Sequence, residues 1–214
     1  MKTFKSIYTF LILAVSIFSC NSQYTSKKRG YYNIALPKRS YIKFEKPGFP
    51  FSFEYPQYAL ILRDSSYFDS TSDNPYWFNI SFPTFNGKIY MSYKTIGGKS
   101  VYKVKKGGRY SDSSGVNLFE KMVSDAYKLT FKNDVKAYSI EDSVMHTPHQ
   151  VSGIFFKVSG NVATSKQFFL SDSTKHFLRG ALYFDATPNE DSLVPVNAFL
   201  QEDMKHIINS LQWK

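Results

Sequence analysis

The stretch Lys166-Gln167-Phe168-Phe169-Leu170-Ser171-Asp172-Ser173-Thr174-Lys175-His176-Phe177-Leu178-Arg179-Gly180-Ala181-Leu182-Tyr183-Phe184 reads as two strands joined by a tight turn. Ser171 to Thr174 are short polar residues whose side chains bond nearby backbone and so favour turns. Beyond them Leu178, Gly180, Leu182 and Phe184 fall on one side at a period of two, as side chains do along a pleated strand. So apolar a face places that strand in the middle of a sheet.

Working outward, the same alternation recurs between Pro, Gly, Asp and Ser. Phe49 to Tyr55 alternates until Pro56 stops it, and Tyr58 to Leu62 is a continuous apolar run that suits a buried strand. Tyr76–Phe82 and Lys88–Lys94 flank Pro83-Thr84-Phe85-Asn86-Gly87, whose Asn-Gly pair suits a hairpin. In the second arm Ile89, Met91 and Tyr93 share one face, while Lys88, Ser92 and Lys94 share the other. Val135–Ile140 and Val151–Val158 bracket a turn region from Glu141 to His149. The span from Ile96 to Gly115 is rich in Gly and Ser, has no apolar face, and reads as a solvated loop.

Two segments carry the helical period instead. From Asn117, which resembles a capping box with Glu120, Leu118, Met122, Ala126 and Leu129 recur at three- and four-residue steps. Near the end Val196, Leu200, Met204, Ile207, Ile208 and Leu211 form one stripe, with Gln201, Glu202, Lys205, Asn209 and Gln212 opposite. Pro195 near the start of that helix loses no bond by lacking an N–H. Hairpins plus two amphipathic helices give an α+β domain, an antiparallel β-sheet with helices packed on it. The order of elements is similar to that of PsbP/Mog1-type sandwiches.

The N-terminus carries a different message. Lys2 and Lys5 precede a short apolar run from Ile7 to Phe18, too short for a bilayer-crossing helix, which needs about 20 residues. The run ends in Ile17-Phe18-Ser19-Cys20, and Cys20 is the chain's one cysteine. An apolar residue, any residue, a small residue and then cysteine resembles the bacterial lipobox. Residues 1–19 are then a lipoprotein signal peptide and Cys20 the lipid-attachment site, with palmitate as the expected acyl group. Residues 20–30 form a lipidated tether and 31–214 a single α+β domain. Two or more acyl chains anchor stably where one does not. With no second cysteine to pair, the fold must rest on its core.

The net charge is +10, concentrated in Lys27-Lys28-Arg29 and around Lys103, Lys105, Lys106 and Arg109. Such clusters suit anionic lipid or an acidic partner, or simply solvated segments. Nucleic acid is excluded as a partner by the export signal. Asn21 is not the aspartate that retains lipoproteins at an inner membrane, and the tether lacks an acidic export cluster. Both features favour the periplasmic face of an outer membrane, with the lipid anchor holding the chain to it.

Catalytic chemistry is sparse. His146 and His149 flank Pro148 and lack the ligands that would complete a metal set. His176 lies near Ser171 and Asp172 within one hairpin, which is the wrong geometry for a nucleophile elbow. His206 falls on the polar side of the last helix. Gly97-Gly98-Lys99-Ser100 lacks the first glycine of a phosphate loop. Aromatics make up 18% of the chain, enough to build a β-rich core or a sugar-stacking surface. No catalytic residue, metal or cofactor is expected.

Particular blocks resemble the GldD family, gliding-motility lipoproteins of Bacteroidota. They are Tyr31-Tyr32-Asn33 with Leu36-Pro37, Phe51-Ser52-Phe53-Glu54-Tyr55, Pro75-Tyr76-Trp77-Phe78-Asn79-Ile80, Asp125-Ala126-Tyr127-Lys128-Leu129-Thr130 and Lys136-Ala137-Tyr138-Ser139-Ile140. The strongest runs from Ser171 to Phe184 and continues through Asn189-Glu190-Asp191-Ser192-Leu193-Val194-Pro195-Val196 to Leu211-Gln212-Trp213. The resemblance implies a lipoprotein needed for gliding and associated with the type IX secretion system. Its partners would be other envelope proteins of those machines, and it brings no catalytic residues. Within the strongest block Asp172, His176 and Arg179 are the candidate partner-binding residues. Arg179 points away from Leu178 and Gly180, where its loss would spare the fold. The alternative is an envelope module that binds glycan or peptidoglycan, or a cryptic hydrolase using the aromatic surface and His176.

Overall fold

Residues 34–63, 76–133 and 135–214 are described in the computed structural model, so the signal peptide, Cys20 and the tether lie outside the described residues. The elements are β1 (Tyr41–Phe44), β2 (Phe51–Pro56), β3 (Leu60–Arg63), β4 (Phe78–Phe82), β5 (Gly87–Thr95), β6 (Lys99–Lys106) and β7 (Arg109–Val116). There follow α1 (Phe119–Phe131), β8 (Ala137–His146), β9 (Ser152–Gly160), β10 (Lys166–Ser171), β11 (His176–Phe184), α2 (Glu190–Ser210) and β12 (Gln212–Trp213). Ala35–Lys214 form one compact unit. It is an α+β domain built on a seven-stranded antiparallel sheet ordered β3-β4-β5-β11-β10-β9-β8, with a smaller sheet β1-β2-β12 and a ribbon β6-β7.

β11 sits at the centre, and its pairing sets the faces of the whole sheet. Leu182 lies opposite Lys166 on β10 and Ile89 on β5. The row extends to Ile80 and Ile61 on one side and to Lys157 and Glu141 on the other. Directly paired residues share a face, so this row runs from apolar to charged across the sheet. α2 packs on this face and buries the expected stripe of Val196, Leu200, Met204, Ile207, Ile208 and Leu211. The small sheet shares the same side, where Phe51 and Phe53 of β2 stack with Phe44 and with Phe78 of β4. Gly180 is required in the middle because a Cβ there would lie 2.4 Å from the Phe168 ring.

The opposite face is covered in part by α1. Met122 and Ala126 pack against Phe156, Phe169 and Phe177, with Phe119, Val123 and Tyr127 at the margin. This differs from the expected stripe, since Leu118 and Leu129 are exposed. Leu118 is the N-cap rather than a helical residue, and the buried line runs through Met122, Ala126 and Thr130. The capping box is absent as well. Asn117 instead bridges the ribbon, accepting from Ser100 Oγ at 2.7 Å and donating to the Thr95 carbonyl at 3.1 Å.

Other expectations are corrected by the pairing. The glycine-rich span is not a loop but the β6-β7 ribbon, closed by Gly107-Gly108 with φ of 56° and 82°. Two consecutive positive φ values make the primed turn that matches strand twist. The strand expected to end at Ile140 runs on to His146, and the turn is only Thr147 to Gln150. β8 is an edge strand with mostly exposed residues, which is why its composition reads as a turn. β3 is the other edge, with Leu60 52% and Leu62 44% exposed rather than buried. Pro195 lies inside α2, because the helix starts at Glu190, capped by Asn189 accepting from the Ser192 N–H. The helix stops at Ser210, so Gln212 pairs with Ser52 in β12 instead of extending the polar stripe.

Leu200 is 0% exposed and lies under the middle of α2. Leu200→Ala is expected to remove about 2–5 kcal/mol, read as a lower denaturation midpoint of the purified protein. Leu62→Ala on the exposed edge should shift it by no more than about 0.5 kcal/mol. Equal losses in the two variants would mean that α2 is not the seat of the core.

Candidate functional site

The β10–β11 turn is organised by Asp172. Its Oδ1 accepts the backbone N–H groups of Thr174, Lys175 and His176 at 3.0, 2.8 and 2.8 Å. Burial works to raise the Asp172 carboxyl, but those three donors, with His176 beside it, hold it below its ordinary value. Ser173 takes the left-handed conformation at φ 63°, a conformation short polar residues tolerate best among non-glycines. Ser171 Oγ donates to the His176 carbonyl at 2.5 Å and accepts from the Ser173 N–H at 2.9 Å. Ser171, Asp172 and His176 are thus brought together, with the serine hydroxyl engaged by backbone rather than by the imidazole.

His176 is 3% exposed. Its ring lies flat on Trp213 with centroids 4.9 Å apart, and Nδ1 is 2.7 Å from the Tyr93 hydroxyl. Nε2 is 4.0 Å from Asp172 Oδ2. Burial pushes the imidazole down, against the pull of Asp172, so the ring is neutral near pH 7. A proton on Nε2, facing the carboxylate, leaves Nδ1 to accept from Tyr93. Tyr93 itself is raised above its ordinary value, chiefly by burial.

Arg179 lies on the α1 side of β11, where it is half-buried rather than free in solvent. Its guanidinium donates to Gln167 Oε1 on β10, and burial lowers it from its ordinary value. The Gln167 amide nitrogen is buried without a partner. Arg179 therefore helps satisfy a buried amide as well as offering a charge at the surface.

The model of the gliding motility lipoprotein GldD family matches residues 21–213. The chain belongs to that family. Membership makes it a lipid-anchored envelope protein with a role in gliding motility. The structure of cyanobacterial PsbP (CyanoP) from Synechocystis sp. PCC 6803 aligns over 84% of this chain and 95% of that chain, at 9% identity and a TM-score of 0.44. No curated protein matches the chain.

Elsewhere in this GldD-family chain the histidines are spread out. His146 Nδ1 contacts Ser152 Oγ at 3.0 Å, His149 Nε2 lies 3.2 Å from Gln212, and His206 Nε2 lies 2.7 Å from Glu54. No group of three potential metal ligands occurs among the described residues, and no helix there is long and apolar enough to cross a membrane.

One constellation escaped the sequence reading. Asp203 of α2 is 0% exposed and takes Arg39 Nε at 3.3 Å, the Tyr41 hydroxyl at 2.9 Å and the Tyr58 hydroxyl. Arg39 also reaches the Phe199 carbonyl at 3.0 Å and lies over the Phe199 ring. His206 stacks on Tyr41 with centroids 3.5 Å apart. The available signal was spacing, since Asp203 falls between Leu200 and Ile207 on the apolar stripe.

Arg179→Ala would leave the buried Gln167 amide with neither end bonded, at a cost of about 1–3 kcal/mol, measurable by chemical denaturation. Unchanged stability would show that water replaces the guanidinium. For His176 the pH dependence has a definite sign. The unfolded ring protonates near its ordinary pKa of about 6.5, before the folded ring does. Stability therefore falls as pH drops below that value. NMR titration should place the ring below 6.5, and Asp172→Asn, which keeps the Oδ1 acceptor but removes the charge, should lower it further. A ring titrating at or above 6.5 would show that Asp172 outweighs burial.

Proposed function

We propose that this protein acts without catalysis, as an assembly or stability factor of the gliding machinery and its associated type IX secretion system. It is anchored through lipid on Cys20 at the periplasmic face of the outer membrane. Its partners are other envelope proteins of those two machines. The observation that carries this reading is the family match across residues 21–213, which links nearly the whole domain to gliding. Geometry lends support, since Ser171, Asp172 and His176 are engaged in shaping a turn and a buried stack. The sheet face that α1 leaves open carries exposed Leu60, Leu62 and Tyr90, a surface suited to protein contact.

The test begins in intact gliding cells with crosslinking and capture of the lipoprotein. Capture of motility or secretion components is expected. Mass spectrometry of the mature N-terminus should show an acylated Cys20, and Cys20→Ser should mislocalise the protein and stop gliding. An unmodified N-terminus beginning elsewhere would end the lipid-anchor reading. His146→Ala combined with His149→Ala, both at exposed positions, should leave gliding intact at normal protein level. Loss of gliding in that variant would return the protein to the enzyme or metal class.

A further inference from the structure

The β6–β7 ribbon pairs with no other strand among the described residues. Eight residues in each arm make it roughly 25 Å long at about 3.3 Å per residue. Its base is fixed to the fold. The Gly97 N–H donates to the Asn117 carbonyl at 2.9 Å and the Asn117 N–H to the Gly98 carbonyl at 2.8 Å, while the Asn117 side chain bridges Ser100 and Thr95. The far end is the bare Gly107-Gly108 turn. Between those ends the ribbon holds Lys99, Lys103, Lys105, Lys106 and Arg109 against a single acid, Asp112. Asp112 stands opposite Lys103 in the register, behind the tip. Lys105, Lys106 and Arg109 therefore flank the turn with no acid among them. Lys106 and Arg109 are direct cross-strand partners, and like charges so placed weaken a strand pair.

The fold gains nothing from that repulsion, and a surface of negative charge removes it. We propose that the tip of the β6–β7 ribbon docks on an anionic lipid surface, as a second hold on the membrane that carries the lipid anchor. The inference rests on the lipid-anchored reading and adds to it a contact made by the folded domain. Lipid fits better than an acidic protein. Four of the five basic residues are lysines, point charges that need no fixed partner geometry and so suit a fluid layer of headgroups. The cores of protein interfaces are depleted of lysine. Tyr102 and Tyr110 are interleaved with the basic residues, and tyrosine favours the boundary between membrane and water. Val101 and Val116, 60% and 51% exposed, add apolar area behind the tip. A basic segment near an acyl chain is a known route to stable anchoring, and each lysine or arginine at an anionic surface strengthens binding about fivefold.

The test reconstitutes the mature lipoprotein into vesicles of phosphatidylcholine alone or with about 30% phosphatidylglycerol. An environment-sensitive dye is placed on Ser111→Cys, near the tip, or on Ser143→Cys of β8, both at exposed positions. Acrylamide, a neutral quencher, reads access from water. In the anionic vesicles quenching at 111 should be at least about threefold weaker than at 143. The two should be equal in neutral vesicles, and equal again in about 0.5 M salt, where screening acts within roughly 4 Å. Lys105→Gln, Lys106→Gln and Arg109→Gln together should abolish the protection and leave the melting temperature equal or higher, because they remove like charges from the tip. Equal quenching at 111 and 143 in anionic vesicles would overturn the proposal. So would protection that survives the triple variant, or a lower melting temperature in it, which would assign the charges to the fold. Protection at 111 in whole envelopes but not in vesicles would overturn it in favour of an acidic protein. Dye uptake by the chain without an added cysteine would show Cys20 unacylated and overturn anchor and docking together, whereas equal quenching with Cys20 acylated overturns the docking alone.

Discussion

The carboxylate of Asp203 is the joint on which the architecture turns. It sits in the middle of α2, fully buried, and takes three donors from a segment more than a hundred residues away. Removing one partner of such a buried pair costs about 3–5 kcal/mol, a large part of a typical domain's 5–15 kcal/mol. Both tyrosines remain neutral donors, since burial first and Asp203 second push Tyr41 up to about 12 and raise Tyr58 further. Arg39, Tyr41 and Tyr58 bracket β1 and β2, so the carboxylate fastens the small sheet to α2. The stripe on α2 then fastens both to the large sheet. With no second cysteine to form a disulfide, this polar joint and the Phe44–Phe51–Phe53–Phe78 stack hold the entry of the chain against its end.

The second organising constraint is the central place of β11. Phe177 to Leu182 each have a partner on both sides, so a shift of one position would exchange the two faces. Leu178, Gly180 and Leu182 would then lose α2, while Phe177 and Arg179 would enter the larger core. The faces are unequal in chemistry. The α2 side is apolar except toward β8 and at the His176–Thr95 end of β11 and β5, whereas the α1 side mixes Phe169 and Phe177 with Gln167, Arg179 and Ser171. A hairpin so deeply placed serves the fold first, and the open surface for contact lies toward β3, β4 and β5.

How much of this was legible in the sequence depended on whether a single face decided the outcome. The α2 stripe, the alternation of β5 and the central position of β11 were readable because burial on one face imposes a strict period. Edge strands were not. β8 is polar because solvent lies on much of it, and β3 is apolar yet exposed, so composition misread both. The ribbon was hidden for a similar reason, since β6 and β7 pair only with each other and owe nothing to a core. Its two-residue Gly107-Gly108 turn was the available clue. In the candidate site, the proximity of Asp172 and His176 was readable from their spacing within a turn. The Trp213 stack and the Asp203 joint were not, because each unites residues distant in sequence.

Two ionisable residues with buried side chains, Asp203 and Lys166, show two ways in which the fold accommodates a charge. Asp203 has its acceptor sites filled by an arginine and two tyrosines, so its burial is compensated within the chain and its role is complete. Lys166 makes no hydrogen bond of that kind, but its ammonium reaches solvent and Glu190 and Glu141 lie near enough to act on it. Burial first, and Lys157 next, hold it below the ordinary lysine value, against the pull of Glu190 and Glu141. The two residues thus carry charge beneath the same helix by opposite means, Asp203 through donors from within the chain and Lys166 through solvent and nearby carboxylates at the rim of the sheet.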